Sequence, residues 1–301
     1  MRALLTAYQV AAYYASFGVF AALALVLNWF CLLASWLPGT DARERFFQRC
    51  VHRQFALFIR WLNFSGVVPV RYQGFARRPE RGGYSAGAGG AGGGNRSDSE
   101  ADPRSENSSS VRRGILPLKK GSGRVIVANH PTLMDVGWVL ARVPEAICIY
   151  KPDIGHNPFY GATARRAGYL ASNGGHHLLR TAAAKLAAGH TLLVFPEGTR
   201  SRNGQLNPLK PGFVAMARLA GVPIQLVQIH CDSDLLGKER PWWKVPHLPA
   251  RITVSLGPCL PPPAAETAEV VEEIEAWFRA ARPAENLRRT PLEPARTPVR
   301  A

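Results

Sequence analysis

Two short segments combine side chains that can move a proton with side chains that can bind an anion. The first, Val125–Asp135, reads Val-Ile-Val-Ala-Asn-His-Pro-Thr-Leu-Met-Asp, so that Asn129 and His130 follow an apolar run and Asp135 comes five residues after His130. The second, Val194–Arg200, reads Val-Phe-Pro-Glu-Gly-Thr-Arg. A carboxylate bonded to one imidazole nitrogen fixes the ring tautomer and leaves the other nitrogen as a general base. His130 and Asp135 therefore predict acid–base chemistry.

The polar residues of both segments come after apolar runs that are typical of buried strands. These runs are Val125–Ala128 and Thr191–Phe195. Pro131 suits the first turn of a helix, where its missing N–H costs nothing. We therefore expect His130 at a strand-to-helix junction and Asp135 about one turn inside the helix, with the His130 ring folded back towards it. The alternative is that His130 caps the helix and Asp135 is an exposed first-turn acid that suits the helix dipole.

Further strand-like runs alternate with helical segments along the chain. The expected strands are Val67–Tyr72, Ala146–Tyr150, Gly168–Ala171, Val222–Ile229 and Ile252–Leu256, and the expected helices are Val136–Ala141, Ala162–Ala167, His177–Ala188, Phe213–Ala220 and Ala265–Ala281. This alternation predicts an α/β fold with a central, mostly parallel mixed sheet flanked by helices. Ligands bind such sheets off the carboxyl ends of the strands, where both chemical segments lie.

The composition points to an acidic partner. The 301 residues are 47 % hydrophobic, which provides a core, and the formal net charge is +16 with a pI near 10.3. Nucleic acid, anionic lipid and phosphorylated substrates all fit this charge. The five cysteines are scattered, without metal-ligand spacing, and fit a reducing compartment.

The N-terminal region favours lipid over nucleic acid as that partner. Leu4–Leu37 is almost uninterrupted apolar sequence and exceeds the ~20 residues that cross a bilayer core. A signal peptide and a buried core helix are the competing interpretations. Asp41–Phe64 then alternates arginines with aromatic and aliphatic residues, which predicts a basic amphipathic helix for an anionic membrane surface, for packing on the catalytic domain, or for both. If Leu4–Leu37 spans the membrane, the arginines after it predict that the downstream chain lies at the cytoplasmic face of the inner or plasma membrane.

Composition also predicts the domain limits. Residues 1–64 form the N-terminal transmembrane or interfacial helices, and residues 65–281 form the main domain. Residues 77–114 are rich in Gly, Ser and Asn and predict a disordered insertion within that domain. Residues 282–301, rich in Arg and Pro, predict a flexible tail.

The two chemical segments together resemble hallmarks of one family. Asn129-His130-Pro131 with Asp135 resembles the His-x-x-x-x-Asp motif of the glycerolipid acyltransferases, and Phe195–Arg200 resembles their second hallmark in the expected order. Lys210-Pro211-Gly212 and Val222-Pro223-Ile224 resemble further patterns of this family. The resemblance covers roughly Val67 to Leu260, without the insertion.

What the resemblance implies is a membrane-bound enzyme that moves a fatty acyl group from acyl-CoA or acyl carrier protein to the hydroxyl of a lysophospholipid. The leading acceptor is 1-acylglycerol 3-phosphate, which would give phosphatidic acid. His130 would be the general base, oriented by Asp135. Glu197, Gly198, Thr199 and Arg200 would bind the acceptor, Arg200 as a planar fork for phosphate. No cofactor and no metal is implied.

The sequence departs from the family in the block between the two hallmarks, where Gly174 stands at the usual position of a phosphate-binding arginine. Arg165, Arg166 and Arg180 are candidate substitutes. An acceptor with fewer phosphate contacts, such as a lyso-aminolipid or a specialised-pathway lipid, is the alternative. A non-catalytic membrane protein that binds lipids is a further alternative, and base-stacking aromatics would mark a nucleic-acid-binding protein. The adjacent His176 and His177 lack companion metal ligands at suitable spacing.

Overall fold

The computed structural model describes residues 2–75, 123–202 and 204–281. Within these residues the chain forms a seven-stranded sheet in the order β1-β7-β6-β2-β5-β3-β4. The strands are β1 (Val70–Gln73), β2 (Arg124–Ala128), β3 (Ala146–Tyr150), β4 (Leu170–Ala171), β5 (Thr191–Val194), β6 (Ile224–Cys231) and β7 (Ile252–Leu260). Neighbouring strands are parallel except β6 and β7, which are antiparallel. The predicted α/β fold with a mostly parallel mixed sheet is confirmed.

Helices cover both faces of this sheet. They are α1 (Arg2–Leu33), α2 (Asp41–Ser65), α3 (Asp135–Leu140), α4 (Gly161–Arg166), α5 (Gly175–Ala187), α6 (Gly212–Ala220) and α7 (Thr267–Ala280). Short 3-10 turns occur at Ala34–Trp36 and Pro152–His156. The helices α1 to α4 contribute to one apolar core and α5 to α7 to the other. The predicted insertion 77–114 and tail 282–301 lie outside the described residues.

Strand β2 lies in the middle of the sheet and supplies both cores. Its five residues are all buried, and Ile126 and Ala128 face the first core while Val125 and Val127 face the second. This two-residue alternation explains why the strand is apolar on both faces. Because β2 pairs in parallel with β5, the carboxyl ends of the two strands are neighbours.

Helix α1 lies lengthwise against the rest of the chain. Near its start the Tyr8 hydroxyl donates to the Ser65 carbonyl at 2.9 Å. Near its end the Asn28 side chain donates to the Pro158 carbonyl at 2.7 Å and accepts from the Ala162 N–H at 2.9 Å. The segment Ala3–Trp36 is long and apolar enough to cross a membrane by length and composition. Only 22 % of its most apolar window is buried against the rest of the chain. A fully buried core helix is therefore the wrong interpretation of this segment.

Helix α2 confirms the predicted amphipathic helix and packs on the sheet. Thr40 caps its start by accepting from the Arg43 N–H, and Gly66, in the left-handed region at φ +68°, ends it. Its apolar face is buried, with Phe47, Val51, Phe55, Phe58, Ile59 and Leu62 in the first core. The packing interpretation of Asp41–Phe64 thus holds in the structure.

Candidate active site

His130 and Asp135 form a direct hydrogen-bonded pair beyond the end of β2. His130 Nδ1 lies 2.7 Å from Asp135 Oδ2. The Asp135 side chain is completely buried, whereas the His130 side chain keeps 19 % of its surface exposed. Because Nδ1 contacts the carboxylate, Nε2 is the ring nitrogen placed to exchange a proton with a substrate. The fold-back of the ring towards Asp135, expected from the sequence, is present.

The segment between these residues differs from the expectation. Helix α3 begins at Asp135, not at Pro131, because the Thr132 N–H and hydroxyl both donate to the Asp135 carboxylate, at 2.7 and 2.6 Å. Such side-chain bonds close a local turn that competes with helix formation. The Trp138 indole N–H donates to the Thr132 hydroxyl oxygen at 3.2 Å. Asp135 is therefore not the exposed first-turn acid of the alternative interpretation.

The buried carboxyl of Asp135 is held by polar partners. Burial raises its pKa, and the hydrogen bonds from His130 and Thr132 oppose that rise. A buried carboxylate requires such donors, because an unpaired one would carry a large desolvation cost. The arrangement supplies an acceptor that stabilises a positive charge on the His130 ring.

Glu197 is buried, with 4 % of its surface exposed, and both its oxygens contact protein donors. Oε1 accepts from the His130 N–H at 2.7 Å, and the Ser201 hydroxyl donates to both oxygens at 3.0 and 2.9 Å. The Asn207 N–H and side-chain amide donate to Oε2, each at 2.9 Å. These contacts do not directly support the acceptor-binding role expected for Glu197. They instead fix the backbone at His130.

Gly198, Thr199 and Arg200 form the rest of the loop after β5. Gly198 adopts φ +67°, and a β-carbon there would lie 2.9 Å from Lys210 Nζ. The glycine thus permits both the turn and the close passage of the Lys210 side chain. Thr199 and Arg200 are half-buried. Arg200 Nη1 donates to the carbonyls of Leu236 and Gly237 at 3.0 and 2.9 Å, so that part of its guanidinium binds a neighbouring loop.

Two of the three candidate substitutes for the missing arginine bind backbone carbonyls. Arg165 donates to the Gly155 carbonyl, and Arg166 donates to the carbonyls of Ala34 and Leu37, which tie α4 to the end of the N-terminal helix. Arg180 is exposed on α5. Lys210, whose side chain passes over Gly198, is a cation that the structure brings to the loop Glu197–Arg200 from outside it.

A cavity of about 530 Å³ lies beside the turn that joins His130 to Asp135, called the dyad turn below. Its lining is almost entirely apolar and comes from five separated parts of the chain, including Phe20, Phe58, Met134, Phe159 and Leu236. Leu133 and Met134, which line it, belong to the turn that joins His130 to Asp135. The cavity could not be predicted from the sequence, because no local pattern connects residues so far apart.

The side chains that could bind a metal ion do not form a cluster in the described ranges. In residues 2–75, 123–202 and 204–281, no group of three or more His, Cys, Asp and Glu side chains is placed to hold a metal ion. His176 and His177 are both exposed at the start of α5.

The α/β sheet thus carries a His–Asp pair beyond β2 and the loop Glu197–Arg200 beyond the neighbouring strand β5. Comparison with known proteins shows what this arrangement is similar to. Residues 105–230 match the sequence model of the family described as Acyltransferase. Over these residues the chain is similar to that family.

Individual relatives match over part of their length. A 1-acyl-sn-glycerol-3-phosphate acyltransferase from Helicobacter pylori is 34 % identical over 109 residues, which cover 34 % of this chain and 46 % of the relative. One from Cocos nucifera is 29 % identical over 116 residues, covering 35 % and 38 %. A lyso-ornithine lipid O-acyltransferase from Pseudomonas aeruginosa is 32 % identical over 112 residues, covering 36 % and 43 %. The chain thus spans less than half the length of each of these relatives.

The fold is also found in a solved structure. The crystal structure of the 1-acyl-sn-glycerophosphate acyltransferase from Thermotoga maritima superposes with a TM-score of 0.58 at 21 % identity, covering 96 % of this chain and all of that one. At this sequence identity the likeness concerns the fold alone.

Proposed function

We propose that this protein is a membrane-associated O-acyltransferase that moves a fatty acyl group from acyl-CoA or acyl carrier protein to the hydroxyl of a lysophospholipid. The proposed acceptor is 1-acylglycerol 3-phosphate and the product phosphatidic acid. The observation that carries the proposal is the 2.7 Å contact between His130 and Asp135, placed beside an apolar cavity.

In the proposed reaction the acceptor hydroxyl gives its proton to His130 Nε2 as its oxygen attacks the thioester carbonyl. The negative charge of Asp135 stabilises the imidazolium that forms. The tetrahedral intermediate then collapses, an ester bond forms, the carbon–sulfur bond breaks, and the imidazolium returns the proton to the leaving thiolate. No acyl-enzyme is needed, and burial raises the pKa of the nearby Cys148 thiol to about 12, which disfavours it as a nucleophile.

The cavity supports a substrate with a hydrocarbon chain. A chain that entered it would contact Leu133 and Met134, which belong to the turn between His130 and Asp135. Burial of apolar surface, at roughly 25 cal/mol per Å², would provide binding energy for such a chain.

The acceptor's phosphate would contact the loop of the second hallmark. Arg200 keeps donors beyond the one that binds Leu236 and Gly237, and Lys210 passes over Gly198 in the same loop. These two cations are our proposed replacement for the arginine that is absent at Gly174.

A lyso-aminolipid is the second candidate acceptor. The absence of an arginine at Gly174 favours it, because such a lipid needs fewer phosphate contacts, and one relative is named a lyso-ornithine lipid O-acyltransferase. A panel of lysolipid acceptors, each incubated with labelled acyl-CoA and with acyl carrier protein thioester, would separate the two acceptors and the two donors.

Membrane association would use the exposed side of the N-terminal helices. Val26, Trp29 and Leu33 are 71 %, 59 % and 70 % exposed on α1. On α2 the exposed Arg53 and Arg60 would face anionic headgroups. Because α1 is hydrogen-bonded to the domain near both ends, we propose that it lies along the membrane with the domain at the cytoplasmic face.

The test is acyl transfer by the His130→Ala variant, read by mass spectrometry of the lipid product. We expect turnover to fall by at least about a hundredfold, the lower range for loss of a general base. Asp135→Asn should also lose activity, and His176→Ala, an exposed histidine on α5, is the matched control. Wild-type turnover in His130→Ala would contradict the mechanism. Wild-type protein that bound lysolipid without turnover with either donor would support the non-catalytic alternative.

A further inference from the structure

Two adjacent tryptophans project from the loop between β6 and β7. Trp242 and Trp243 are 52 % and 56 % exposed, and their rings form an edge-to-face pair with centroids 5.8 Å apart. Large aromatic side chains are rarely left in water in adjacent positions without an interaction partner. Tryptophan, with an apolar body and one N–H donor, is enriched where a membrane meets water.

The loop is hydrogen-bonded to α1. The Tyr13 hydroxyl donates to the Trp242 carbonyl and the Tyr14 hydroxyl to the Trp243 carbonyl, each at 2.8 Å. The Phe17 ring lies 5.3 Å from the Trp242 ring. Successive carbonyls of the loop are thus held by successive tyrosines of one helix.

A second set of contacts holds the loop in shape. Arg240 bonds to the carboxylate of Asp234 and to the carbonyls of Lys244 and Val245, and so cross-links the two ends of the loop. The Arg240 guanidinium therefore binds partners within the loop itself. Lys244 is exposed beside Trp243, and Glu239 is an exposed acid of the same loop.

The tryptophans share one surface with the rim of the apolar cavity. Trp242 lines the cavity, as do Leu133 and Phe159, and these three lining side chains are 52 %, 54 % and 37 % exposed. Leu133 belongs to the dyad turn, and its N–H donates to the Leu236 carbonyl at 3.1 Å. Exposed apolar side chains around an apolar cavity match a surface of the same character, which a lipid bilayer provides.

We propose that the loop 241–244 docks on a phospholipid bilayer, with Trp242 and Trp243 at the boundary between headgroups and acyl chains and Lys244 at the headgroup phosphates. This docking would place the rim at Leu133, Phe159 and Trp242 on the lipid, so that a hydrocarbon chain passes into the cavity without crossing water. The use of the cavity rests on the proposed function, whereas docking of the loop does not require catalysis.

The test is quenching of tryptophan fluorescence by vesicles whose phospholipids carry bromine near the top of the acyl chain. The difference between wild type and Trp243→Phe isolates the emission of Trp243 and keeps an aromatic ring in the loop. Trp277→Phe is the matched control, because Trp277 lies on α7, on the other face of the sheet. Vesicles would be mixed phosphatidylcholine and phosphatidylglycerol, compared with pure phosphatidylcholine.

We expect the Trp243 emission to be quenched by brominated vesicles and the Trp277 emission to stay unchanged. Lys244→Gln should weaken docking on the mixed vesicles by about fivefold, the effect of one cation near an anionic surface. Equal Trp243 emission with brominated and ordinary lipids would overturn the proposal, as would equal quenching of Trp243 and Trp277.

The His130→Ala variant separates this proposal from the proposed function. It should show the same Trp243 quenching as the wild type, because docking does not involve the base. Intact quenching together with no acyl transfer by the wild-type protein would contradict the proposed function alone. Acyl transfer without quenching would contradict the docking alone.

Discussion

The backbone N–H of His130 donates a hydrogen bond to Glu197 Oε1 at 2.7 Å, which joins the two sequence hallmarks. A second hydrogen bond joins the same two segments, since the Ser201 N–H donates to the His130 carbonyl at 2.7 Å. Parallel pairing of β2 with β5 brings these segments together, with Val127 opposite Val194. The peptide groups on both sides of His130 are thereby held by the loop of the second hallmark. We infer that Glu197 is a positioning residue for His130 and Asp135.

Glu197→Gln should therefore reduce turnover more than it weakens acceptor binding. The amide would place an N–H₂ group against donors that now face a carboxylate, and a buried donor without an acceptor costs about 1–3 kcal/mol. We expect unfolding by urea to show a loss of about 2 kcal/mol. Steady-state kinetics should show kcat lowered by about tenfold, which is the effect of about 1.4 kcal/mol, with the acceptor KM little changed.

Arg202→Gln provides the control, because Arg202 is an exposed neighbour in the same loop. A higher acceptor KM with unchanged kcat in Glu197→Gln would contradict the positioning role. It would show instead that Glu197 binds the acceptor, as expected from the sequence.

Thr132 should orient Asp135 through its hydroxyl. Thr132→Val keeps the shape of the side chain but removes the 2.6 Å bond to Asp135 Oδ1 and the acceptor of the Trp138 indole. We expect about 1–3 kcal/mol less stability and a lower kcat, because a buried carboxylate loses a donor. Thr132→Ser, which keeps the hydroxyl, should restore most of both.

The readout that distinguishes positioning from plain stability is the pH profile of kcat/KM. Loss of the Thr132 donor should move the acid limb to higher pH, since the hydroxyl helps to keep Asp135 ionised. An unchanged profile in Thr132→Val, alongside reduced stability, would show a structural role alone.

The contact between His130 and Asp135 could be predicted from the sequence, because the two residues are close in the chain and one local turn brings them together. The sequence missed the start of α3 because the bonds from Thr132 to Asp135 outcompete the helical turn that Pro131 favours. The regular elements were predicted because their apolar periodicity reflects burial, as in β2, where alternate residues serve opposite cores.

Long-range contacts explain what the sequence did not reveal. The position of Glu197 depends on Asn207 and Ser201, which no pattern linked to it, and on the pairing of two strands distant in sequence. The cavity depends on how α1 and α2 pack against the dyad turn and the loop at Leu236. Hydropathy identified the N-terminal segment as apolar. That the segment lies against the domain follows from long-range contacts, such as those of Tyr8 and Asn28.

Arg200 should affect the acceptor and the loop at Leu236 in separable ways. Arg200→Ala removes the donor to the Leu236 and Gly237 carbonyls as well as the cation, whereas Arg200→Lys keeps the charge but not the planar fork. We expect the acceptor KM to rise by about tenfold or more in both variants, the effect of about 1.4 kcal/mol. The donor KM should stay near the wild-type value.

Thermal unfolding separates the second effect. Leu236 adopts φ +51°, an uncommon conformation for a non-glycine residue, and the Arg200 contact helps to hold it. Arg200→Ala should thus lower the free energy of unfolding by about 1–2 kcal/mol. If the donor KM rose and the acceptor KM did not, the loop of Glu197–Arg200 would belong to the donor.

His190 should make the stability of the protein depend on pH. It is 2 % exposed and its Nε2 contacts Asp41 at the start of α2. Burial lowers the pKa of His190, and the nearby cations of Arg45 and Lys185 lower it further, which outweighs the opposite effect of Asp41. The folded state therefore binds this proton less tightly than the unfolded state, whose histidine titrates near about 6.5.

The sign of the effect follows from proton linkage. As the pH falls below about 6.5, the unfolded state takes up a proton that folded His190 does not, and stability decreases until the folded pKa is reached. The pKa of Asp41 is lowered, first by its hydrogen bond from Arg45, so its contribution is lost only at pH values below the ordinary carboxyl range. Urea unfolding between about pH 7.5 and about pH 5.5 isolates the histidine. His190→Gln should flatten the decrease over this window, whereas His176→Gln, which changes an exposed histidine, should retain it. The same slope in His190→Gln and the wild type would show that another group is responsible.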